Sequence, residues 1–328
     1  MKFYALLSGP DYELARKEIL SLLECYGISS NVEIIDEKVV VLETPELPEQ
    51  VFARLALTRE VGRVFDILHS NDELLASASN IRFEHGQTFK VDSIGFDGSE
   101  KLKIDSEVGE TICGNGYTVR LERPDNVVRI IKAETCLLVG RVIGVAKRRW
   151  VDRRPRARPF FHPSALHPKL ARLLVNLSKV KEGEVLLDPL AGTGSILIEG
   201  AVIGAYSIGL ELSKKMVEGC MKNLENFAKD DSEIVMADAR MMPIRRADAI
   251  ATDLPYGRSS SVLGIDRSEL RVSLMEEAKR VLKSRDICLM MSPSKELPSE
   301  DVDLALQYRH DLYVHRNLTR TISVFRRR

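Results

Sequence analysis

Asp188-Pro189-Leu190-Ala191-Gly192-Thr193-Gly194-Ser195 lies between two apolar runs, Val185-Leu186-Leu187 and Ile196-Leu197-Ile198. A buried strand (residues 184–188), a glycine turn and a helix (195–203) form the unit with which an α/β sheet opens a ligand site at the carboxyl edge of its strands. Gly192 and Gly194 let backbone N–H groups approach a ligand, and a helix start favours negative charge, so the turn could hold phosphate or a carboxylate. A dinucleotide fingerprint requires a third glycine where Leu197 stands, and a P-loop requires Lys-Ser/Thr after its last glycine. Neither requirement is met.

The strands that follow carry the pattern further. A strand over 206–210 ends at Glu211, an acceptor suited to both hydroxyls of a ribose. After a helix (213–227), a strand over 233–236 ends at Ala237-Asp238-Ala239, and one over 249–252 delivers Asp253. Any single carboxylate here would be a helix cap or a surface charge. Four at matching ends of successive strands mark the edge where such sheets bind ligands. Asp253-Leu254-Pro255-Tyr256 adds a carboxylate, a backbone carbonyl before a proline and an aromatic face, the set needed to hold an exocyclic amine on a flat nucleobase. The last segments, 304–314 and 319–325, form a hairpin around Arg316-Asn317.

At 328 residues the chain holds two or three domains, and 44% hydrophobic with 29% charged residues is a soluble globular composition. The 48 basic and 48 acidic side chains cancel, so attraction to nucleic acid must come from local clusters. Cys25, Cys113, Cys136, Cys220 and Cys288 are scattered without zinc-ligand spacing, which predicts reduced, mostly buried thiols and no metal. The apolar start is interrupted at Gly9-Pro10-Asp11 and no run could span a bilayer, so a cytoplasmic protein with no membrane contact is expected.

Residues 1–44 predict a β-α-β-β fragment of a ferredoxin-like sandwich, with strands at 3–8, 32–35 and 39–42 and a helix opened by Asp11. Residues 45–146 predict a small α+β module with helices at 50–58, 73–79 and 102–112 and strands at 63–69, 118–121, 127–131 and 136–145; it is an RNA-binding module or a spacer. Residues 147–159, Lys-Arg-Arg-Trp-Val-Asp-Arg-Arg-Pro-Arg-Ala-Arg-Pro, lack an apolar period and predict an extended basic linker. Arg148, Arg149, Arg153, Arg154, Arg156 and Arg158 are its candidate phosphate contacts; a solvated hinge is the plainer alternative. The catalytic half, 160–328, opens with a helix over 168–178.

The glycine turn together with Asp253-Leu-Pro-Tyr-Gly-Arg-Ser-Ser260 resembles the class I, Rossmann-like S-adenosylmethionine methyltransferases. Within them it is similar to tRNA guanine N2-methyltransferases that carry a ferredoxin-like segment and a THUMP domain, and most of all to the archaeal enzymes acting on guanosine 10. The resemblance covers nearly the whole chain. It departs at Leu254, where many relatives have proline. It implies an α/β methyltransferase domain after a THUMP module, S-adenosylmethionine as methyl donor and tRNA as partner. It also places Asp188, Ala191, Gly192, Thr193 and Gly194 near the methionine moiety, Glu211 at the ribose, Asp238 and Ala239 at the adenine, and Phe161-His162 as a closing segment, with a structural histidine as the alternative for His162. Arg258, with Ser259 and Ser260, would touch RNA or form a turn. Some relatives work with a small zinc-binding activator protein.

The implied reaction is one or two methyl transfers to guanosine N2, with Asp253 and the Leu254 carbonyl accepting the amine hydrogens and Tyr256 stacking on the base. Three alternatives remain open: guanosine 6 of tRNA, adenine N6 or cytosine N4 of DNA, and a non-catalytic RNA-binding protein that keeps the fold.

Overall fold

The computed structural model describes residues 1–9, 11–145, 150–255, 267–294, 303–316 and 318–328. The chain forms two compact units: Met1–Arg16, Gly27–Ala53 and Leu57–Lys147 in the first, and Lys17–Tyr26, Arg54–Ala56 and Arg148–Arg328 in the second.

The first unit is built on β1 (Lys2–Leu7), β2 (Asn31–Ile34), β3 (Val39–Glu43), β4 (Thr58–Leu68), β5 (Thr88–Ile94), β6 (Thr118–Val119), β7 (Asn126–Lys132) and β8 (Leu137–Val145). These make one sheet in the order β2-β3-β1-β4-β8-β7-β5-β6, so strands from either side of residue 45 share a ladder. Its helices are α2 (Glu49–Phe52), α3 (Leu74–Ser79) and α4 (Gly98–Cys113), while α1 (Tyr12–Cys25) begins in this unit and belongs to the second from Lys17 onward. Asp97 caps α4 through the N–H groups of Ser99 and Glu100, at 3.1 and 2.8 Å. Val108 and Ile112 of α4 pack with Phe89, Val128 and Ile130 of the sheet into one apolar cluster.

Two expectations are corrected here. The helix read over 50–58 stops at Phe52, because Arg54, Leu55 and Ala56 leave for the second unit, where the Arg54 Nε donates to Asn176 Oδ1 at 3.2 Å. The strand β5 was not anticipated. Lys90 and Asp92 dilute its apolar signal, although Phe89 is fully buried between parallel neighbours β6 and β7.

The second unit contains α5 (Pro168–Leu177), β9 (Val185–Asp188), α6 (Ser195–Val202), β10 (Tyr206–Glu211), α7 (Lys214–Phe227), β11 (Ser232–Met236), β12 (Ala247–Asp253), α8 (Arg267–Val281), β13 (Leu282–Pro293), β14 (Leu304–His315) and β15 (Leu318–Arg327). Its sheet runs β11-β10-β9-β12-β13-β15-β14. The first five strands are parallel, with α6, α7 and α8 making the crossovers from β9 to β10, β10 to β11 and β12 to β13, while β15 runs antiparallel to both β13 and β14. Here α8 and β13 are additions to the sequence reading, and β14 with β15 form the expected hairpin, Asn317 itself lying outside the described residues. From β9 the chain proceeds outward through β10 and β11, then returns to β12 on the other side. This reversal is a topological switch point, which leaves a crevice beyond the ends of β9 and β12. Behind it, Leu187, Leu210, Ile250 and Leu254 pack against Leu270 and Leu274 of α8.

Candidate active site

The glycine turn sits at the end of β9. Gly192 and Gly194 adopt φ of 53° and 81°, the left-handed region that glycine enters at least cost. At Gly194, which precedes α6, an added Cβ would lie 2.7 Å from Cys220 Sγ. The Gly192 N–H donates to Glu211 Oε2 at 3.1 Å, while Glu211 Oε1 accepts from the Ser213 N–H at 2.8 Å. Ala191 and Thr193 are buried.

Asn223 of α7, fully buried, ties the turn to the segment before α5. Its Nδ2 donates to the Thr193 carbonyl at 3.0 Å and to the Phe160 carbonyl at 3.1 Å, and its Oδ1 accepts the Phe160 N–H at 2.9 Å. The Phe160 ring fits because residue 219 is glycine; a Cβ there would lie 2.2 Å from the ring. Phe161, 46% exposed, and His162 follow directly. His162 Nδ1 lies 2.7 Å from Ser164 Oγ, a local turn contact.

Across the sheet edge, in spatial order, stand Asp238, Glu211, Asp188 and Asp253, each at or just past the end of its strand. Asp188 is buried, accepting from Thr252 Oγ1 at 2.8 Å and the Leu190 N–H at 3.2 Å; burial pushes its carboxyl up to about 7. Asp238 pairs with Arg240 at 2.8 Å, and that hydrogen-bonded guanidinium holds it below the usual carboxylate range. Asp253 meets the buried Arg320, whose Nη1 donates to Oδ1 at 2.9 Å and Oδ2 at 2.8 Å. Burial pushes Asp253 up to about 6 against the pull of that cation. The Leu254 N–H donates to the Met291 carbonyl at 2.7 Å, a bond that proline at this position could not make.

The described edge therefore combines a row of carboxylates at four neighbouring strand ends with a glycine backbone turn that tolerates close approach. Such a donor-poor, acidic set fits a ligand carrying a ribose diol, an adenine amine and positive charge. Tyr256 and Arg258, with Ser259 and Ser260, lie outside the described residues, as do Arg148 and Arg149.

The linker differs from its expectation. From Trp150 it folds into turns, with Pro155–Ala157 in a 3-10 turn, and two of its cations are committed internally. Arg153 donates to both oxygens of the fully buried Glu199 on α6, at 2.7 and 3.2 Å, and stacks with Arg172 around the Trp150 ring. Arg158, 5% exposed, donates to Ser195 Oγ at 2.7 Å and to the Arg153 carbonyl at 2.9 Å. Two guanidiniums placed this way support the glycine turn's helix, so the phosphate role expected for them is withdrawn. Arg154 and Arg156 remain exposed.

Asn223, Glu199, Arg172 and Arg320 were not foreseen. Their hydrogen-bonded and ionic partners are 27 or more residues away in the chain, and no local spacing announces them.

A family model described as the RMKL-like methyltransferase domain matches residues 155–322. The chain is 32% identical over 336 residues to the tRNA (guanine(10)-N2)-dimethyltransferase of Methanothermobacter thermautotrophicus, covering 100% of both chains. It is 27% identical to the protein of the same name from Methanocaldococcus jannaschii, covering 98% of this chain and 99% of that one. Among solved structures, TrmN from Thermus thermophilus superimposes with a TM-score of 0.58 at 19% identity, covering 100% of both chains, which shows a shared fold.

Proposed function

The chain belongs to the RMKL-like methyltransferase family, in company with the archaeal tRNA (guanine(10)-N2)-dimethyltransferases, and from that premise we propose how its sheet edge serves the reaction. The protein is a tRNA guanine N2-methyltransferase. Its methyl donor is S-adenosylmethionine, and its target is guanosine 10, methylated once or twice. The observation that carries this reading is the position of Asp253-Leu254-Pro255 at the end of β12, next to the glycine turn and across the switch point from Glu211 and Asp238.

Gly192 to Gly194 and Asp188 would hold the methionine end of the donor, Glu211 the ribose hydroxyls, and Asp238 with Ala239 the adenine; Phe161 and His162 would flank it. The donor supplies an electrophilic methyl group when bound. The protein's task is to make the acceptor nitrogen nucleophilic. The lone pair of guanine N2 is delocalised into the ring, so the free amine attacks poorly. With the Asp253 carboxylate and the Leu254 carbonyl each accepting one of its hydrogens, the nitrogen is drawn out of the ring plane and its lone pair is aimed. Asp253 then takes the proton that the alkylated nitrogen must lose. A monomethylated amine keeps one hydrogen for Asp253, which permits a second round. Guanine reaches the crevice by leaving the tRNA core, and Tyr256 stacks on it in this reading.

Residues 1–44 form a ferredoxin-like segment and 45–146 a THUMP module that together carry the tRNA, while Arg154, Arg156, Arg148, Arg149 and Arg258 meet phosphate. The protein works in the cytoplasm, and a small zinc-binding activator protein is a further partner in this proposal. No helix among the described residues is long and apolar enough to cross a membrane.

The test is incubation of the purified protein with labelled S-adenosylmethionine and either transcribed tRNA or duplex DNA. Label in guanosine 10 supports the proposal. Label in guanosine 6 moves the address, label in DNA changes the substrate, and no transfer even with an added activator leaves only an RNA-binding role.

A further inference from the structure

Arg320 lies on β15 and Asp253 on β12, with β13 between them; Met291 of β13 is in register with Asp253, and Pro293 with Arg320. Neighbouring strands stand about 4.8 Å apart, so an arginine must extend across a whole strand to make this contact. It does so over Met291, whose Sδ lies 3.8 Å from the same Nη1 that touches both Asp253 oxygens. The Arg320 side chain is 5% exposed and that of Asp253 15%. The cation is thus the more deeply buried of the two, and the carboxylate, at the end of β12, keeps some exposed surface. A single nitrogen straddling both oxygens restricts rotation of the carboxylate about its own axis while leaving the outward lone pairs for a ligand.

We propose that Arg320 is a positioning residue for methyl transfer: it keeps the Asp253 carboxylate charged and turned towards the acceptor amine without touching the base. The inference rests on the amine-binding role of Asp253 given above.

Burial opposes ionisation of Asp253. Asp188, at the end of the adjacent β9, is itself pushed up to about 7, in part by Asp253, and brings no positive charge to the pair. Thr252 turns its hydroxyl to Asp188 and so gives Asp253 no relief. From β13, the residue in register is the neutral Met291. Arg320 is the cation that the described residues bring against this carboxylate. The sign of the effect follows. Asp253 must be ionised to accept a proton, so turnover falls as pH falls through its pKa. Burial has already lifted that value to about 6 with Arg320 in place. Removing the cation leaves burial unopposed and moves the acid limb of the rate profile upwards.

The experiment is single-turnover methyl transfer from labelled S-adenosylmethionine to transcribed tRNA across the pH range, with separate measurement of cofactor and tRNA Kd. In Arg320→Gln the acid limb should move up by about one to three pH units, the shift an opposite charge at hydrogen-bond distance commands, with both Kd values near wild type. In Arg320→Lys the charge is retained, so the limb should stay, but a compact ammonium on a shorter stem cannot straddle both oxygens and the plateau rate should fall roughly tenfold. An acid limb in Arg320→Gln that overlays the wild type overturns the inference. So does an Arg320→Lys plateau equal to wild type, which decides the matter should the Gln variant not fold. Wild type and Asp253→Asn run alongside separate the two levels: if Asp253→Asn transfers methyl groups normally, the site reading fails, whereas its inactivity with an unmoved Arg320→Gln profile sinks only the role of Arg320.

Discussion

Each unit of the molecule buries an arginine against a carboxylate, and the two pairs are built differently. In the first unit, Arg129 sends Nε and Nη2 to the two oxygens of Glu60, both at 2.7 Å, and the Tyr4 hydroxyl adds a third donor at 2.9 Å. Arg129 also pairs with Asp92, which binds Lys101 at 2.7 Å. Glu60 is 3% exposed and takes three donors from two side chains. In the second unit, a single Nη1 of Arg320 serves both oxygens of Asp253, and the carboxylate retains a solvent-facing side at the edge of a parallel sheet. A carboxylate held by three donors in the interior braces strands; Asp253, which takes one donor nitrogen among the described residues, has bonding capacity left for a substrate. The same two residue types thus yield a brace in one place and chemistry in the other, and the count of donors on the carboxylate tells them apart.

That contrast breaks most visibly on the chemical side. Asp253→Asn removes the proton acceptor but keeps the shape, and should lower the single-turnover rate by about a thousandfold or more, with tRNA Kd and melting temperature near wild type. A variant that loses tRNA binding in parallel would show that Asp253 is a brace after all. The converse change is Arg129→Ala, which leaves Glu60 buried without its cation. It should cost about 3–5 kcal/mol in unfolding by urea, while turnover per folded molecule stays at the wild-type level. Loss of turnover without loss of stability would erase the distinction between the pairs.

The glycine turn sharpens the comparison from the backbone side. Gly194→Ala forces a side chain into φ of 81° and brings its Cβ to 2.7 Å from Cys220 Sγ. The strain of roughly 1–2 kcal/mol should appear as lower thermal stability and weaker S-adenosylmethionine binding by calorimetry, with tRNA affinity unchanged. The smallest effect concerns the linker, where the same division recurs within one basic run. Neutralising the exposed Arg154 and Arg156 should weaken tRNA binding severalfold at low salt and flatten log Kd against log salt by about one to two slope units. Neutralising the paired Arg153 should instead destabilise the fold, because it strips a partner from the buried Glu199. If both changes altered only the salt slope, the linker would be an extended phosphate contact throughout.

Much of this was legible in the sequence for a physical reason. Strand ends that carry Asp188, Glu211, Asp238 and Asp253 are local features: an apolar run stops and a carboxylate follows, with a helix period soon after Asp188 and Glu211. Alternation of such units implies a parallel sheet whose carboxyl edge gathers those residues. What was not legible is the pairing of charges over long separations. Arg320, in Thr319-Arg320-Thr321, has no neighbour that hints at a partner 67 residues earlier. Arg153 and Arg158 read as two more candidate phosphate contacts in a basic run, because burial beside α6 is decided by Glu199 and Ser195, residues far along the chain. The early end of α2 at Phe52 has the same origin, since the next residues are captured by Asn176 of α5.

The central claim is that Asp253 and its neighbouring carbonyl present a guanine amine for methylation. Mass spectrometry of nuclease fragments from tRNA treated with the wild-type protein and S-adenosylmethionine tests it most directly, with Asp253→Asn as the paired control. One or two methyl groups on N2 of guanosine 10, absent in the variant, is the result predicted. Methyl groups on another atom or another base, or an unchanged product from Asp253→Asn, would contradict it.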